Sequence, residues 1–164
     1  MGSYVLVVFV SRTPAGTVFA RARWPLHATL VRFDAAEPAA RIRQRIGPAL
    51  TARAAFAATV GGDAAFGRDG SVPVSLLDAD SGLAALHVAV LDALGDAVHL
   101  PGGRHTKAGY RPHVSHTVGR LHPSDTLAVD HVALVDMRPD GDPRWRRVVF
   151  VWDLAPGPIQ DATS

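Results

Sequence analysis

The chain has 164 residues, of which 48% are hydrophobic and 20% are charged, as is typical of a single globular domain with a substantial core. It contains no cysteine, which excludes disulfides, thiolate metal sites and a cysteine nucleophile. The formal net charge is only +2, so charge alone does not indicate a nucleic-acid-binding protein, although 16 of the 17 basic residues are arginine, which suits bidentate phosphate contacts.

Runs of β-branched and aromatic residues, bounded by glycine, proline and polar residues, predict the strands. One of them, residues 54–60, is closed by Gly61-Gly62 and followed by a turn-rich connection at residues 64–70. The predicted strands are residues 3–11, 24–33, 54–60, 72–77, a strand beginning near Pro112, 127–137 and 145–154.

Two segments carry apolar residues at helical spacing. The first runs from residue 39 to about residue 53, and Pro48 should kink or end it. The second runs from about residue 81 to residue 97, and His87 lies beside its apolar stripe, which favours a structural role for that histidine. The stripe consists of Leu83, Leu86, Val90, Leu91 and Leu94.

The order of these elements predicts an α+β fold in a single domain over residues 1–154, followed by a flexible tail at residues 155–164. The apolar run at residues 4–10 is too short to cross a membrane and lacks the basic start and the cleavage site of a signal peptide. We therefore expect a cytoplasmic protein with no membrane partner.

Two copies of one short pattern stand out, His27-Ala28-Thr29 and His113-Val114-Ser115. Residues i and i+2 of a strand share a face, so each copy presents an imidazole beside a hydroxyl. A third triplet, His122-Pro123-Ser124, has a central proline and is predicted to be a turn. His27 and His113 are 86 residues apart, which suggests one motif in each half of a roughly duplicated domain.

With these motifs the chain resembles the 2H phosphoesterase superfamily, in particular the bacterial branch named for 2′-5′ RNA ligase. The lead-in to the second motif, Tyr110-Arg111-Pro112, is similar to that family as well, and the resemblance covers about residues 3–154. It implies a bilobal, pseudo-symmetric fold in which two antiparallel sheets line a central cleft, with the helices outside. Ser115 replaces the usual threonine, and His116 replaces an apolar residue and by alternation should face away from His113.

The resemblance also implies an activity, the hydrolysis of 2′,3′-cyclic phosphates to 2′-phosphates or the related 2′-5′ phosphodiester exchange. Its substrates would be RNA ends or nucleotides, and the enzyme is expected to be a monomer that requires no cofactor and no metal. In the family's hydrolytic scheme His113 activates water and His27 protonates the leaving 3′ oxygen, and the two roles exchange for ligation. Thr29 and Ser115 would donate hydrogen bonds to the non-bridging oxygens as negative charge builds up.

Accessory binding residues are less sharply indicated by the sequence. Tyr110 and Arg111 are the candidate substrate-binding residues, since a tyrosine can stack on a base and an arginine can contact phosphate. Phe66 is a possible base-stacking residue, although core packing is the favoured interpretation. A basic loop beside the second motif offers cations to guide an RNA end, although simple solvation of that loop is slightly favoured; they are Arg104, His105 and Lys107.

Two alternatives stay open. A metal-dependent hydrolase would use His27, His113, His116 and His105, but a spacing of three places His113 and His116 on opposite faces of a strand. A non-catalytic module that binds RNA ends or nucleotides would keep the same fold. Both histidines and both hydroxyls are present, which favours the enzyme.

Overall fold

The computed structural model describes residues 1–78, 82–101 and 109–157. Within them the chain forms strands and two α-helices, which confirms the expected α+β class. The helices are α1 (Ala39–Thr51) and α2 (Leu83–Leu94). The strands are β1 (Gly2–Phe9), β2 (Val18–Ala20), β3 (His27–Ala35), β4 (Phe56–Phe66), β5 (Val72–Leu77), β6 (Val98–His99), β7 (His113–Ser115), β8 (Thr126–Val129), β9 (His131–Asp136) and β10 (Trp145–Asp153).

The strands pair antiparallel in the order β2-β10-β9-β1-β3-β7-β5-β4-β8, with β6 beside the far end of β3. The two halves of the domain are joined where β3 meets β7, and there Ala28 pairs with Val114; we call these two residues the central pair. The two antiparallel sheets expected from the resemblance are thus hydrogen-bonded into one continuous path. The central pair is buried, with both residues 0% exposed.

Both helices lie on one face of this sheet. Helix α1 packs against α2 and β10, and α2 packs against β3. All five residues of the predicted α2 stripe are buried, and α1 buries Ile42, Ile46 and Leu50. We call this face of the sheet the helix side. A second, smaller core on the opposite face consists of Val5, Val7, Phe9, Ala133, Val135 and Val148.

A β-bulge in β3 decides which of its side chains share a face. Leu6 pairs with Val31 but Val7 pairs with Thr29, so Leu30 is an extra residue. Leu30 and Val31 are both buried on the helix side, at 2% and 3% exposure.

A second irregularity lies in β4, which was predicted to stop at Gly61-Gly62. The strand instead continues to Phe66, and its register against β5 shifts between Val60 and Asp63. The two glycines therefore form a bulge rather than an end, as glycine often does inside a strand.

Other predicted boundaries are corrected by tertiary packing. Helix α1 runs past Pro48 to Thr51, because Leu50 beyond the proline is fully buried and its packing outweighs one lost backbone bond. Helix α2 ends at Leu94, since Gly95 takes a φ of 54° and a single 3₁₀ turn follows. The strands β2 and β6 were not predicted.

The single strand predicted at residues 127–137 is in fact two strands that belong to different halves of the sheet. Strand β8 pairs with β4, whereas β9 pairs with β1 and β10. The chain crosses between them at Asp130, whose carbonyl accepts a hydrogen bond from the Leu154 amide at 2.9 Å.

The end of the described chain is attached to the domain. Ala155, which opens the predicted tail, exchanges backbone hydrogen bonds with Arg53 and Ala55 at 2.8 and 2.7 Å. Residues 158–164 lie outside the described residues, and the single-domain interpretation of residues 1–154 stays a prediction. In the part of the chain that is described, no helix has the length and apolar character needed to span a membrane.

Helix α2 holds β3 in place, so its packing should dominate local stability. We expect Leu86→Ala to lower the free energy of unfolding by about 2–5 kcal/mol, because Leu86 is 1% exposed against the core. Val88→Ala in the same helix, at a position 37% exposed, should change it by no more than about 0.5 kcal/mol. Urea unfolding of both variants checks this, and similar losses at the two positions would contradict it.

Candidate active site

The four residues of the two motifs come together on adjacent strands. Antiparallel pairing around the central pair sets His27 opposite Ser115 and Thr29 opposite His113. All four side chains point to the face opposite the central pair, and all four are half-buried. Each imidazole therefore has the other motif's hydroxyl directly across from it. The two histidines are diagonal neighbours, a placement that separates their Cα atoms by roughly 7–8 Å.

Both catalytic candidates are oriented by the same local hydrogen bond. His27 Nδ1 donates to the Pro25 carbonyl at 2.8 Å, and His113 Nδ1 donates to the Arg111 carbonyl at 2.7 Å. A carbonyl only accepts, so Nδ1 carries the hydrogen and Nε2 is the atom at which each ring gains or loses its proton. The two lobes thus present the same tautomer.

Aromatic rings surround His27. Trp24 lies 4.5 Å from it between ring centroids, and Phe9 contacts it edge-on at 6.3 Å. This burial lowers the pKa of His27 below its ordinary value of 6.5, against the opposing effect of the Pro25 hydrogen bond, and the nearby His113 lowers it further. His27 is consequently neutral at pH 7.

A cavity of about 560 Å³ opens where the sheet splits beyond the central pair. Strand β6 pairs with β3 at Asp34 and Ala35, so no strand of the described residues lies beside the intervening edge of β3. Thr29 and His113 line this cavity. Among the described residues, His27 and Ser115 are not part of its lining and lie at its edge.

Tyr110 closes the gap in the sheet. Its hydroxyl donates to the Thr29 carbonyl at 2.8 Å, and its ring stacks on His87 with centroids 4.1 Å apart and planes inclined by 6°. His87 Nδ1 donates to the Leu30 carbonyl at 2.7 Å. Two carbonyls that a neighbouring strand would otherwise bind are satisfied in this way. Burial raises the pKa of Tyr110 and lowers that of His87, so both groups act as neutral donors.

Arg111 and Phe66 form the opposite wall. The Arg111 guanidinium lies 4.8 Å from the centre of the Phe66 ring, and Phe66 meets His113 edge-on at 4.7 Å. Phe66 had been assigned to core packing; it lies instead at the end of β4, on the cavity and against His113.

His116 points to the helix side, away from His113, as alternation predicts. The Ser75 hydroxyl donates to the Leu121 carbonyl at 2.7 Å, so His116 Nε2, at 2.9 Å, must donate to that hydroxyl. The third triplet forms a turn at Pro123 and Ser124 and stays apart from the site. Arg104, His105 and Lys107 lie outside the described residues.

No group of three histidine or carboxylate side chains is placed to hold a metal ion within residues 1–78, 82–101 and 109–157. Of the three described histidines proposed for a metal site, His27 and His113 share a face and His116 lies on the other.

Sequence reasoning missed Arg32, which lines the cavity, and set His87 aside as structural although it lines the cavity too. Simple alternation assigns Arg32 to the face opposite Thr29. The bulge at Leu30 instead places Arg32 on the same face as Thr29. The one feature of the sequence that could have indicated this is the presence of an arginine within an otherwise apolar strand.

The state of His27 can be observed directly. We expect its NMR titration to give a pKa below 6.5, with the neutral ring protonated at Nδ1 and not at Nε2, because burial disfavours the charged form and the Pro25 carbonyl binds Nδ1. Nitrogen-15 shifts of the imidazole report both quantities, and His27→Gln assigns the signal by its loss. A neutral ring protonated at Nε2 would contradict the hydrogen bond to Pro25.

Comparison with solved structures supports this fold. A crystal structure titled only as a phosphoesterase has a TM-score of 0.56 and 16% identity, TT0787 of Thermus thermophilus has 0.55 and 19%, and E. coli LigT complexed with ATP has 0.53 and 16%. Each alignment covers 94% of this chain and 98% of the other. LigT is also known in complex with 3′-AMP. At these identities the likeness establishes the fold alone.

No curated protein matches the sequence closely enough to count as a relative. The family model of the 2′-5′ RNA ligase superfamily, however, matches residues 13–152, which include both histidine motifs and both helices. With the fold and the paired motifs agreeing, the chain belongs to the 2′-5′ RNA ligase superfamily.

Proposed function

We propose that this protein is a metal-independent phosphodiesterase that opens 2′,3′-cyclic phosphates at RNA ends or on nucleotides. Water attacks phosphorus, the bond from phosphorus to the 3′ oxygen breaks, and the products are a 2′-phosphate and a 3′-hydroxyl. The observation that carries the proposal is the alternating square of two imidazoles and two hydroxyls around the central pair. It provides a base, an acid and two hydrogen-bond donors on one face.

The roles follow the family scheme. His113 Nε2 takes a proton from water, and His27 Nε2 gives one to the leaving 3′ oxygen, each step contributing about 10²- to 10⁴-fold. Because His27 is neutral in the free enzyme, the proton it donates must be acquired together with the substrate. The anionic phosphate favours this, since a nearby negative charge stabilises the imidazolium. The same groups with exchanged roles would catalyse 2′-5′ ligation.

The surrounding residues fit a nucleotide. Thr29 and Ser115 would donate to the non-bridging oxygens, where preorganised donors stabilise developing charge. Tyr110 forms part of the cavity, and Arg111 lies beside His113 with its guanidinium over Phe66. A volume of about 560 Å³ lies in the range of nucleotide-sized ligand sites. That LigT binds ATP and 3′-AMP supports this assignment. One chain supplies both motifs, so we propose a monomeric enzyme.

Loss of either histidine should abolish turnover without affecting the fold. Measured in EDTA on an oligonucleotide with a 2′,3′-cyclic phosphate end, we expect His27→Ala and His113→Ala each to lower kcat by about 10²- to 10⁴-fold. His122→Ala is the matched control, because that histidine belongs to a triplet of the same form outside the site and should leave kcat within about twofold.

The alternative, a binding module without catalysis, makes a different prediction in the same assay. It gives no turnover in the parent protein and retains binding in both histidine variants. Turnover lost on adding EDTA would instead favour the metal-dependent hydrolase.

The pH profile separates the two histidine roles. An acid must be protonated, so with His27 as the acid kcat/KM should fall as pH rises through the pKa of His27 in the free enzyme, which lies below 6.5. The expected result is an optimum on the acidic side of neutral, with an alkaline limb that coincides with the NMR titration of His27. If kcat/KM instead falls as pH decreases through the pKa of His27, His27 must be deprotonated to act. His27 would then be the base and His113 the acid.

A further inference from the structure

Arg32 and Arg146 share the face of the sheet that carries His27 and His113, and both Arg32 and Arg21 are near enough to Arg146 for their charges to repel it. The bulge in β3 brings Arg32 to the same face as Thr29, and Arg32 is exposed and lines the cavity. Arg146 of β10 pairs with Phe19 of β2, and Arg21 follows that strand directly, with its amide bonded to the Arg144 carbonyl at 2.9 Å.

The floor between these arginines is apolar. Arg32 pairs with Val5, Val5 with Val135, and Val135 with Val148, so a row of three valines leads from Arg32 across β1, β9 and β10. Trp24 packs over this core and links the arginines to the catalytic residues. Its ring lies 4.5 Å from His27 on one side and 5.9 Å from the Arg146 guanidinium on the other.

The described residues do not neutralise these three arginines through ion pairs. Among residues 1–78, 82–101 and 109–157, none of the three arginines forms an ion pair with a carboxylate. Arg146 is 6% exposed, and although one of its terminal nitrogens donates to three carbonyls, its Nε has no partner in the described structure. Burial is the main cause that lowers the pKa of Arg146. Repulsion from Arg21 and Arg32 lowers this pKa further, and the nearby Asp136 carboxylate raises it.

A buried, incompletely satisfied guanidinium beside two exposed ones is unfavourable unless an anion binds there. We propose that Arg21, Arg32 and Arg146 form a second phosphate site, which holds the phosphodiester adjacent to the one that reacts at His27 and His113. This rests on the proposed function and narrows its substrate class. The enzyme acts on the ends of oligonucleotides, and a nucleoside cyclic phosphate with a single phosphate is a poorer substrate.

The turnover test compares two dinucleotides that end in a 2′,3′-cyclic phosphate. In one the internal linkage is a normal phosphodiester, and in the other it is an uncharged methylphosphonate, so the bases are the same and only the charge differs. We expect the methylphosphonate to lower kcat/KM about tenfold in the parent protein, as expected for the loss of a charge-assisted contact. In Arg21→Gln the two substrates should become nearly equal. Arg53→Gln, which removes the same charge just beyond the end of α1, should preserve the preference.

A binding test separates failure of this site from failure of the proposed reaction. A fluorescent deoxyoligonucleotide has no 2′-hydroxyl and is not turned over, so its binding does not depend on catalysis. We expect Arg21→Gln and Arg32→Gln each to raise Kd about fivefold or more. Each should also lower the slope of log Kd against log salt concentration by about 0.7, the value for one lost phosphate contact on a single strand. Arg53→Gln should change neither. Arg146 is left intact because it holds three carbonyls in place.

Equal effects of Arg21→Gln and Arg53→Gln, in either test, would overturn the second phosphate site by showing only a general effect of net charge. A parent protein that hydrolyses both dinucleotides equally would overturn it as well, while leaving the proposed reaction intact. Binding that weakens as expected without any turnover would keep the site and overturn the reaction.

Discussion

The site depends on a short contact, the pairing of Ala28 with Val114 between β3 and β7. These two small, buried residues join the halves of the sheet and set the register between the motifs. With side chains alternating across a strand, a register shifted by one residue would turn one histidine and its hydroxyl to the helix side. The square of two imidazoles and two hydroxyls thus follows from the register of two strands that meet over a very short length.

The brevity of that contact is as important as its register. Because β7 is only three residues long, the sheet splits beyond the central pair and leaves a cavity next to the reacting groups. The split exposes two carbonyls of β3, and the stacked pair of Tyr110 and His87 satisfies them. A cavity inside the sheet is stable here because the side chains of Tyr110 and His87 bind the carbonyls that a neighbouring strand would otherwise bind.

The two faces of the sheet differ in the charged groups that they carry. The helix side is apolar apart from a few satisfied groups, such as His116 on Ser75. The other face holds a neutral His27 among aromatic rings and, past Trp24, three arginines that form no ion pair with a carboxylate of the described residues. An imidazole whose charged form is disfavoured until an anion binds, beside a group of arginines, suits the substrate with several negative charges that we propose.

Much of this could be read from the sequence because it depends on local pattern. The α+β class, the apolar stripe of α2 and the two histidine-hydroxyl motifs follow from the two-residue and 3.6-residue periodicities and from which residue types transfer protons at neutral pH. What could not be read depends on contacts between distant segments. Packing carried α1 past Pro48, pairing with different partners divided residues 127–137 into β8 and β9, and the bulge at Leu30 moved Arg32 to the catalytic face. The sequence by itself determined which chemical groups the site contains, and only the tertiary structure decided which of them share one face, because strand register and bulges are set by partners far away in the chain.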